Sequence, residues 1–279
     1  MNDTADDDAF VALTSKISRE RGFGAASYKD TCMRRRIAVR MRARGAEDYA
    51  TYSRLLDSDP AEYEWLIAVL TVNVTKLFRN VETWTAVAQT VLPRLWAAQT
   101  PRINCWVAGC SSGEEAYTLS ALWMQYATEH GGADGAARVH ITASDIDRDS
   151  LAAAERGSYG AESFAEAPAG VRDHWFVPAA PSELREPRWA AGREIRSLIR
   201  FERRDLLLDP VPPVAMQLIT CRNVIIYFDR DSQDALMRCF HDALAPGGFL
   251  VLGKVETLLG PSRGLFEAVD SRQRIFRRS

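Results

Sequence analysis

The chain predicts an α/β fold of the Rossmann-like, doubly wound kind, preceded by an all-helical N-terminal domain and interrupted by a small inserted β subdomain. Three observations carry this. Residues 103–119, INCWVAGCSSGEEAYTL, read as a buried strand, a tight glycine turn and the start of a helix. Further strand-like runs at 139–144, 199–205, 217–221 and 249–253 are separated by helical stretches, the rhythm of parallel strands joined by crossovers. Ahead of them, residues 8 to about 80 show helical spacing, as at Phe10, Leu13 and Ile17.

Taken in order, the first helix is ended by Gly22-Phe23-Gly24. Residues 31–44, TCMRRRIAVRMRAR, form a second, with Met33, Ile37 and Met41 on one side. Between Ser15 and Arg44 there are ten Lys/Arg and two acids, a local charge of +8. Such a face is either simply solvated or a docking surface for something anionic: nucleic acid, a membrane, or an acidic protein helix. The stretch 47–64 reverses the sign. Asp59-Pro60 then opens a helix carrying Trp65, Leu66, Val69 and Leu70, and residues 71–79 lead into an amphipathic helix over 81–98.

After the strand at 103–108, Gly109-Cys110-Ser111-Ser112-Gly113 turns the chain, and Glu114 and Glu115 open a helix with Tyr117, Leu119, Leu122, Trp123 and Tyr126 at helical spacing. Glycines let a ligand approach the backbone closely. A phosphate would want free helix-start N–H groups, and two acids beside them argue against one. The pattern predicts a cationic ligand without phosphate, such as S-adenosylmethionine. Asp145, 36 positions after Gly109, ends the strand at 139–144. Alone it reads equally as a cap for the helix at 149–156. Beside the glycine loop, a grip on both ribose hydroxyls is the better reading.

Residues 158–196 break the rhythm, with Phe164, Trp175, Phe176, Val177 and Trp189 as anchors of a small subdomain. A helix at 231–245 stops at Pro246-Gly247-Gly248, and 266–269 with 274–277 fit a terminal hairpin. Trp84, Trp96, Trp106 and Trp123 read as core. The expected division is therefore 1–80 and 81–279, with the insertion at 158–197.

The 279 residues carry a net charge of −2 and are 47% apolar, ordinary for a soluble protein. No run approaches the ~18–20 apolar residues of a membrane helix. The acidic opening MNDTADDDAF lacks the apolar core of a signal peptide. Five scattered cysteines without a CxxC pair suit a reducing cytoplasm, and the four histidines show no ligand spacing, so no metal is expected.

Five stretches, in order, carry a family resemblance: Asn73-Val74-Thr75-Lys76-Leu77-Phe78-Arg79, the loop at 108–115, Ala143-Ser144-Asp145-Ile146-Asp147, CRNVIIYFD at 221–229, and Leu244-Ala245-Pro246-Gly247-Gly248. Over essentially its full length the chain resembles the chemotaxis-receptor glutamate methyltransferases, the CheR family. The resemblance implies a class I S-adenosylmethionine-dependent methyltransferase domain behind a helical domain. It implies methyl transfer to glutamate side chains on receptor helices, leaving S-adenosylhomocysteine. Asn73, Thr75 and Arg79 would form a lid, and Glu115 would meet the methionine ammonium. Asp145 would hold the ribose, Asp205 and Leu206 would flank the adenine, and Gly109 belongs to the loop beneath the ligand. Cys221, Arg222 and Asn223 would lie at the strand end below the cofactor, with Arg79, Arg222 and Tyr227 on the methyl-transfer side. Arg34, Arg35, Arg36 and Arg40 would dock the receptor helices, and the insertion offers a second surface for a receptor tail. The chain departs from the pattern at Leu77, where an aromatic is usual, at Asn80, where an acid is common, and at Gly253-Lys254-Val255-Glu256, in place of a GHSE-like turn.

The residues suit that chemistry. A glutamate carboxylate is ionised at pH 7 and needs no general base; arginine can hold it in a fixed fork. Two rivals stand beside this reading. A nucleic-acid methyltransferase would use the basic helix on phosphates, although no NPPY-type motif or basic-aromatic interleaving is present. A non-catalytic cofactor-binding scaffold would be signalled by loss of Arg79, Arg222 or Tyr227, and all three are present.

Overall fold

The computed structural model describes residues 2–21, 23–71, 75–131, 133–179 and 186–279. Four helices come first: α1 (Asn2–Arg21), α2 (Asp30–Arg44), α3 (Tyr49–Ser58) and α4 (Pro60–Leu70). Local chemistry sets their ends. Gly45 takes the left-handed conformation (φ 65°) that closes α2, and Asp48 and Asp59 cap α3 and α4 through the amides of Thr51 and Ala61. Phe10, Leu13, Ile17, Met33, Ile37 and Leu66 fill the core between them. Within it lies Glu62, fully buried, which accepts from Arg40 Nε and Nη2 (2.8 and 2.7 Å) and from the Tyr52 hydroxyl (2.7 Å). Burial would raise the Glu62 carboxyl, but Arg40 and Tyr52 hold it below the ordinary carboxylate range. One buried acid thus ties α2, α3 and α4.

The second unit opens with α5 (Val81–Ala86), widens over Val87–Val91 and continues as α6 (Leu92–Ala97), so the helix expected over 81–98 is present with a wide turn in its middle. Leu77 and Phe78, just before it, already pack in the same core as Trp84. The central sheet is built from β1 (Ile103–Ala108), β2 (Val139–Asp145), β6 (Ile199–Arg203), β7 (Met216–Cys221), β8 (Leu244–Leu252), β9 (Phe266–Asp270) and β10 (Ile275–Arg278). Its order is β6-β2-β1-β7-β8-β10-β9, parallel up to β8 and antiparallel through the terminal hairpin. The crossovers are α7 (Glu114–Gly131), α8 (Arg148–Arg156) and α11 (Arg230–Ala243). Because the chain reverses direction about β1, a crevice forms above the carboxyl ends of β1, β2 and β7.

The insertion holds β3 (Ser158–Tyr159), α9 (Val171–Trp175), β4 (Phe176–Pro178), β5 (Trp189–Ala191) and α10 (Arg193–Ser197), with an antiparallel sheet in the order β3-β5-β4. One boundary differs from expectation. Pro246-Gly247-Gly248 lies inside β8 and not between helix and strand, because Leu244 already pairs with Met216, ahead of an irregularity in the β7–β8 register. Among the described residues no helix is long and apolar enough to cross a membrane.

Candidate active site

Above β1, β2 and β7 lies a cleft of about 1050 Å3, its open mouth included. Thr75, Arg79, Gly109, Glu115, Asp145, Asp205, Leu206, Arg222, Asn223 and Tyr227 all line it. Cys221 ends β7 fully buried beneath it, and Asn73 lies outside the described residues. Burial pushes the Cys110 and Cys221 thiols well above their ordinary range, so both stay protonated and serve as packing.

The glycine turn follows from β1. Gly109 has φ +77°, and a Cβ there would come within 2.5 Å of Val224; Gly113 has φ +92°, and its Cβ would meet Ala154 at 2.8 Å. Asp145 sits where β2 ends, its Oδ2 accepting from Ser111 N (2.7 Å) and its Oδ1 from Asp147 N (3.0 Å). Burial pushes this carboxyl up, against the pull of those amides. A carboxylate has about four acceptor sites, so Asp145, which lines the cleft, retains capacity for a ligand hydroxyl beyond the amides it binds. The cap of α8 is Asp147, which accepts from Asp149 N, so the capping role considered for Asp145 falls to its neighbour. Asp205 accepts from Leu207 N (2.8 Å) and, across the units, from Gly24 N (3.2 Å).

Arg222 is arranged differently from the substrate clamp expected of it. Its side chain is 1% exposed, with Nη1 on Glu115 Oε2 (3.0 Å) and Nη2 on both the Arg79 carbonyl (2.8 Å) and Asn80 Oδ1 (3.1 Å). Its guanidinium faces the Trp84 ring at 5.0 Å. A fork committed to a carboxylate, a carbonyl and an amide oxygen has no two parallel donors left for a substrate. It orients Glu115 and the 79–80 turn instead, and uses only one of the two Glu115 oxygens.

The basic helix is corrected more strongly. Arg36 is buried, donates Nη1 to the Leu70 carbonyl and lies 4.5 Å from the centre of the Tyr227 ring. Arg40 is held by Glu62, and Arg34 by Asp7 (2.6 Å) and Asp6 (3.5 Å) while covering Phe10. Of the four arginines expected to dock a partner, Arg35 alone is exposed. Acids outside residues 15–44 balance much of the +8, as in Lys16–Asp57, Arg34–Asp7, Arg40–Glu62 and Arg44–Asp59, while Arg36 keeps its charge and gives a hydrogen bond to a carbonyl.

Four non-glycine residues have left-handed backbone here, Ser111 (φ 49°) and Asn223 (62°) in the cleft lining and Phe78 (55°) and Asn80 (57°) on either side of the cleft-lining Arg79. Each donates its N–H to a side chain. Phe78 gives to Thr118 Oγ1 (2.9 Å), Asn80 to Glu166 Oε2 (2.7 Å), Ser111 to Asp145 and Asn223 to Glu256 Oε2 (2.9 Å). Such conformations persist only where surrounding contacts hold them. Glu256 is the most heavily used anchor. It is 2% exposed and accepts from the amides of Gly253, Asn223, Val224 and Ile225. Burial pushes its carboxyl up, and those four amides oppose the shift.

Thr118, Glu166 and Glu256 were missed as site residues, as were the cleft-lining Tyr28, Leu70, Thr71 and Arg204. For Glu256 a signal existed, since it is the acid of the Gly253–Glu256 turn; Tyr28, in a loop ahead of α2, carries no local mark. The departures have partners: Leu77 is core, Asn80 binds Arg222, and Lys254 pairs with Glu82 at 2.7 Å.

The donor set fits a cationic adenosyl ligand. Carboxylates of Glu115, Asp145 and Asp205 line the cleft beside the glycine turn, and they can accept from hydroxyls and an ammonium.

Comparison with known proteins agrees. Residues 8–71 match the all-alpha domain of CheR methyltransferase, and residues 73–275 match its SAM-binding domain. A chemotaxis protein methyltransferase of Listeria monocytogenes is 31% identical over 253 residues, covering 91% of each chain. The putative methyltransferase Cher3 of Pseudomonas putida is 32% identical over 276 residues, covering 96% of this chain and 95% of its own. With both halves matched in order, the chain belongs to the CheR methyltransferase family, whose cofactor is S-adenosylmethionine.

Proposed function

We propose that the protein transfers a methyl group to glutamate side chains on the cytoplasmic helices of chemoreceptors, giving glutamyl methyl esters. The observation that carries this is the cleft itself. It brings the carboxylates of Asp145, Asp205 and Glu115 together with Arg79 and Tyr227 in one lining, which supports a site that takes a cofactor and a carboxylate. The relatives named as chemotaxis protein methyltransferases support the receptor as the target.

In this reading Asp145 accepts from the ribose hydroxyls. Asp205 and Leu206 flank the adenine, and Glu115, oriented by Arg222, takes the ammonium on its remaining oxygen. Thr75 and Arg79 cover the ligand from the linker, and the backbone of residues 221–223 supports it from below. When bound, S-adenosylmethionine supplies an electrophilic methyl group on a cationic sulfur. The substrate carboxylate arrives ionised, so the chain's task is alignment at near-attack distance and exclusion of water, because charge is lost as the ester forms. Arg79 and Tyr227 hold one carboxylate oxygen and leave the other free to react. Receptor docking falls to the exposed side of α2 around Arg35, the paired Arg34, Arg36 and Arg40 contributing structure.

The cofactor half of this reading has a direct test. Asp145→Ala should weaken S-adenosylhomocysteine binding in calorimetry by about ten- to a hundredfold, roughly 1.4 kcal/mol per tenfold. Unchanged affinity in a variant that still melts cooperatively would sink the ribose assignment.

A further inference from the structure

The turn that carries Arg79 is held by two separate parts of the chain. Arg222 donates Nη2 to the Arg79 carbonyl and to Asn80 Oδ1. The insertion supplies the other contacts. Leu77 N donates to the Ser163 carbonyl (2.9 Å), Asn80 N donates to Glu166 Oε2 (2.7 Å), and Lys76 Nζ stands 3.7 Å from Glu166 Oε1. The segment bearing Glu166 is anchored in its turn. The Phe164 ring packs edge-on to Phe176 of β4 (5.0 Å, 89°) and to Trp189 of β5 (5.8 Å, 77°), and Ala167 N donates to the Phe164 carbonyl (3.0 Å). The small sheet of the insertion thus reaches, through one carboxylate, the residue next to Arg79 in the cleft lining.

We propose that Glu166 is a positioning residue for methyl transfer: by accepting from the Asn80 amide it fixes the backbone that sets the direction of Arg79, so that the insertion helps to set the geometry of the methyl-transfer site. The proposal rests on the reading of Arg79 as the residue that holds the substrate carboxylate. Asn80 tolerates left-handed backbone better than most residues. Such a conformation is nevertheless kept only where surrounding contacts over-determine it. Without its acceptor the peptide between Arg79 and Asn80 can rotate, and Arg79 shifts with it. A displacement on the order of 1 Å can cost about a hundredfold in rate when the reacting groups must be aligned. Arg222 still holds the turn from the other contact points, so the loss should be smaller than that. The Glu166 side chain is 35% exposed, so water can replace it on the Asn80 amide and the stability of the whole chain should barely change. Its ion pair with the half-exposed Lys76 contributes little for the same reason.

The test compares Glu166→Ala, Glu166→Gln and Arg79→Ala in the full chain, using methyl-labelled S-adenosylmethionine and receptor-containing membranes. Glu166→Ala should lower kcat about five- to twentyfold while KM for receptor stays within about twofold of the original. Glu166→Gln keeps a carbonyl oxygen for the Asn80 amide and loses only the charge opposite Lys76, so it should recover most of kcat. A second readout needs no turnover. In the unliganded chain, amide hydrogen exchange in a peptide spanning residues 77–83 should be at least about fivefold faster in Glu166→Ala and return toward the original in Glu166→Gln. In an Arg79→Ala background, Glu166→Ala should lower kcat no further, because the two residues act as one unit. An unchanged kcat, an unchanged exchange rate, a rise in KM with kcat intact, or a loss that adds fully to that of Arg79→Ala would each overturn the proposal. If Arg79→Ala slows transfer while Glu166→Ala does not, the functional reading stands and only the Glu166 assignment falls. If Arg79→Ala itself leaves kcat within about twofold of the original, the reading of Arg79 falls and takes this one with it.

Discussion

Arg222→Ala is expected to lower kcat/KM at least about a hundredfold, near 2.7 kcal/mol of transition-state stabilisation. The expected route runs through Glu115 and the 79–80 turn. Removing a buried guanidinium leaves the Glu115 carboxylate without its 3.0 Å partner and releases the Arg79 carbonyl and Asn80. Losing one member of a buried charged pair is costlier than the pair itself is stabilising. Affinity for S-adenosylhomocysteine should therefore fall together with the rate. Arg222→Lys restores a charge that can reach Glu115 or the 79–80 turn but not both, so it should recover only part of each. Steady-state kinetics combined with calorimetry check this. A rise in KM for receptor with cofactor affinity intact would instead return Arg222 to the substrate-clamp role that its sequence motif suggests.

Glu256→Ala should be the most destabilising single change near the cleft. Four amides, those of Gly253, Asn223, Val224 and Ile225, lose the carboxylate that accepts from them, and those of Gly253 and Ile225 lose it in buried positions. Buried unsatisfied donors cost about 1–3 kcal/mol each before relaxation. We expect a loss of at least ~3 kcal/mol, a fall in melting temperature of about 6–12 °C for a chain of this size. Glu256→Gln keeps one acceptor oxygen and turns a carboxamide NH2 toward the remaining amides, so its stability should fall between those of the original and Glu256→Ala. Differential scanning calorimetry of both variants measures the effect. A Glu256→Ala protein that melts within 2 °C of the original, a shift on the order of 0.5–1 kcal/mol, would show that the Asn223 turn is held by something else.

What the sequence conveyed and what it hid divide along distance. The strand-turn-helix at 103–119 was legible because its signal is local: an apolar run, glycines at the turn and a helical repeat. Asp145 was legible because a strand's carboxyl end is a fixed position relative to that turn. The fates of the arginines were not. Arg40 meets Glu62 22 positions on, Arg36 meets Leu70 34 positions on, and Arg222 meets Glu115 across 107 positions. A charge count cannot tell a solvated arginine from one whose donors are already committed. The same limit hid Tyr28, which reaches the cleft only because its loop pairs with residue 228. It also hid the four left-handed turns, which depend on side chains from α7, the insertion, β2 and the loop after β8.

The central claim is that the product is a carboxyl ester on a receptor. The measurement that tests it most directly is incubation of the protein with methyl-labelled S-adenosylmethionine and receptor-containing membranes, followed by mild alkali. Label is expected on the receptor and should be released by alkali quantitatively as methanol, since an ester hydrolyses where an N-methyl group does not. Alkali-stable label on protein, or label recovered in RNA, would contradict it.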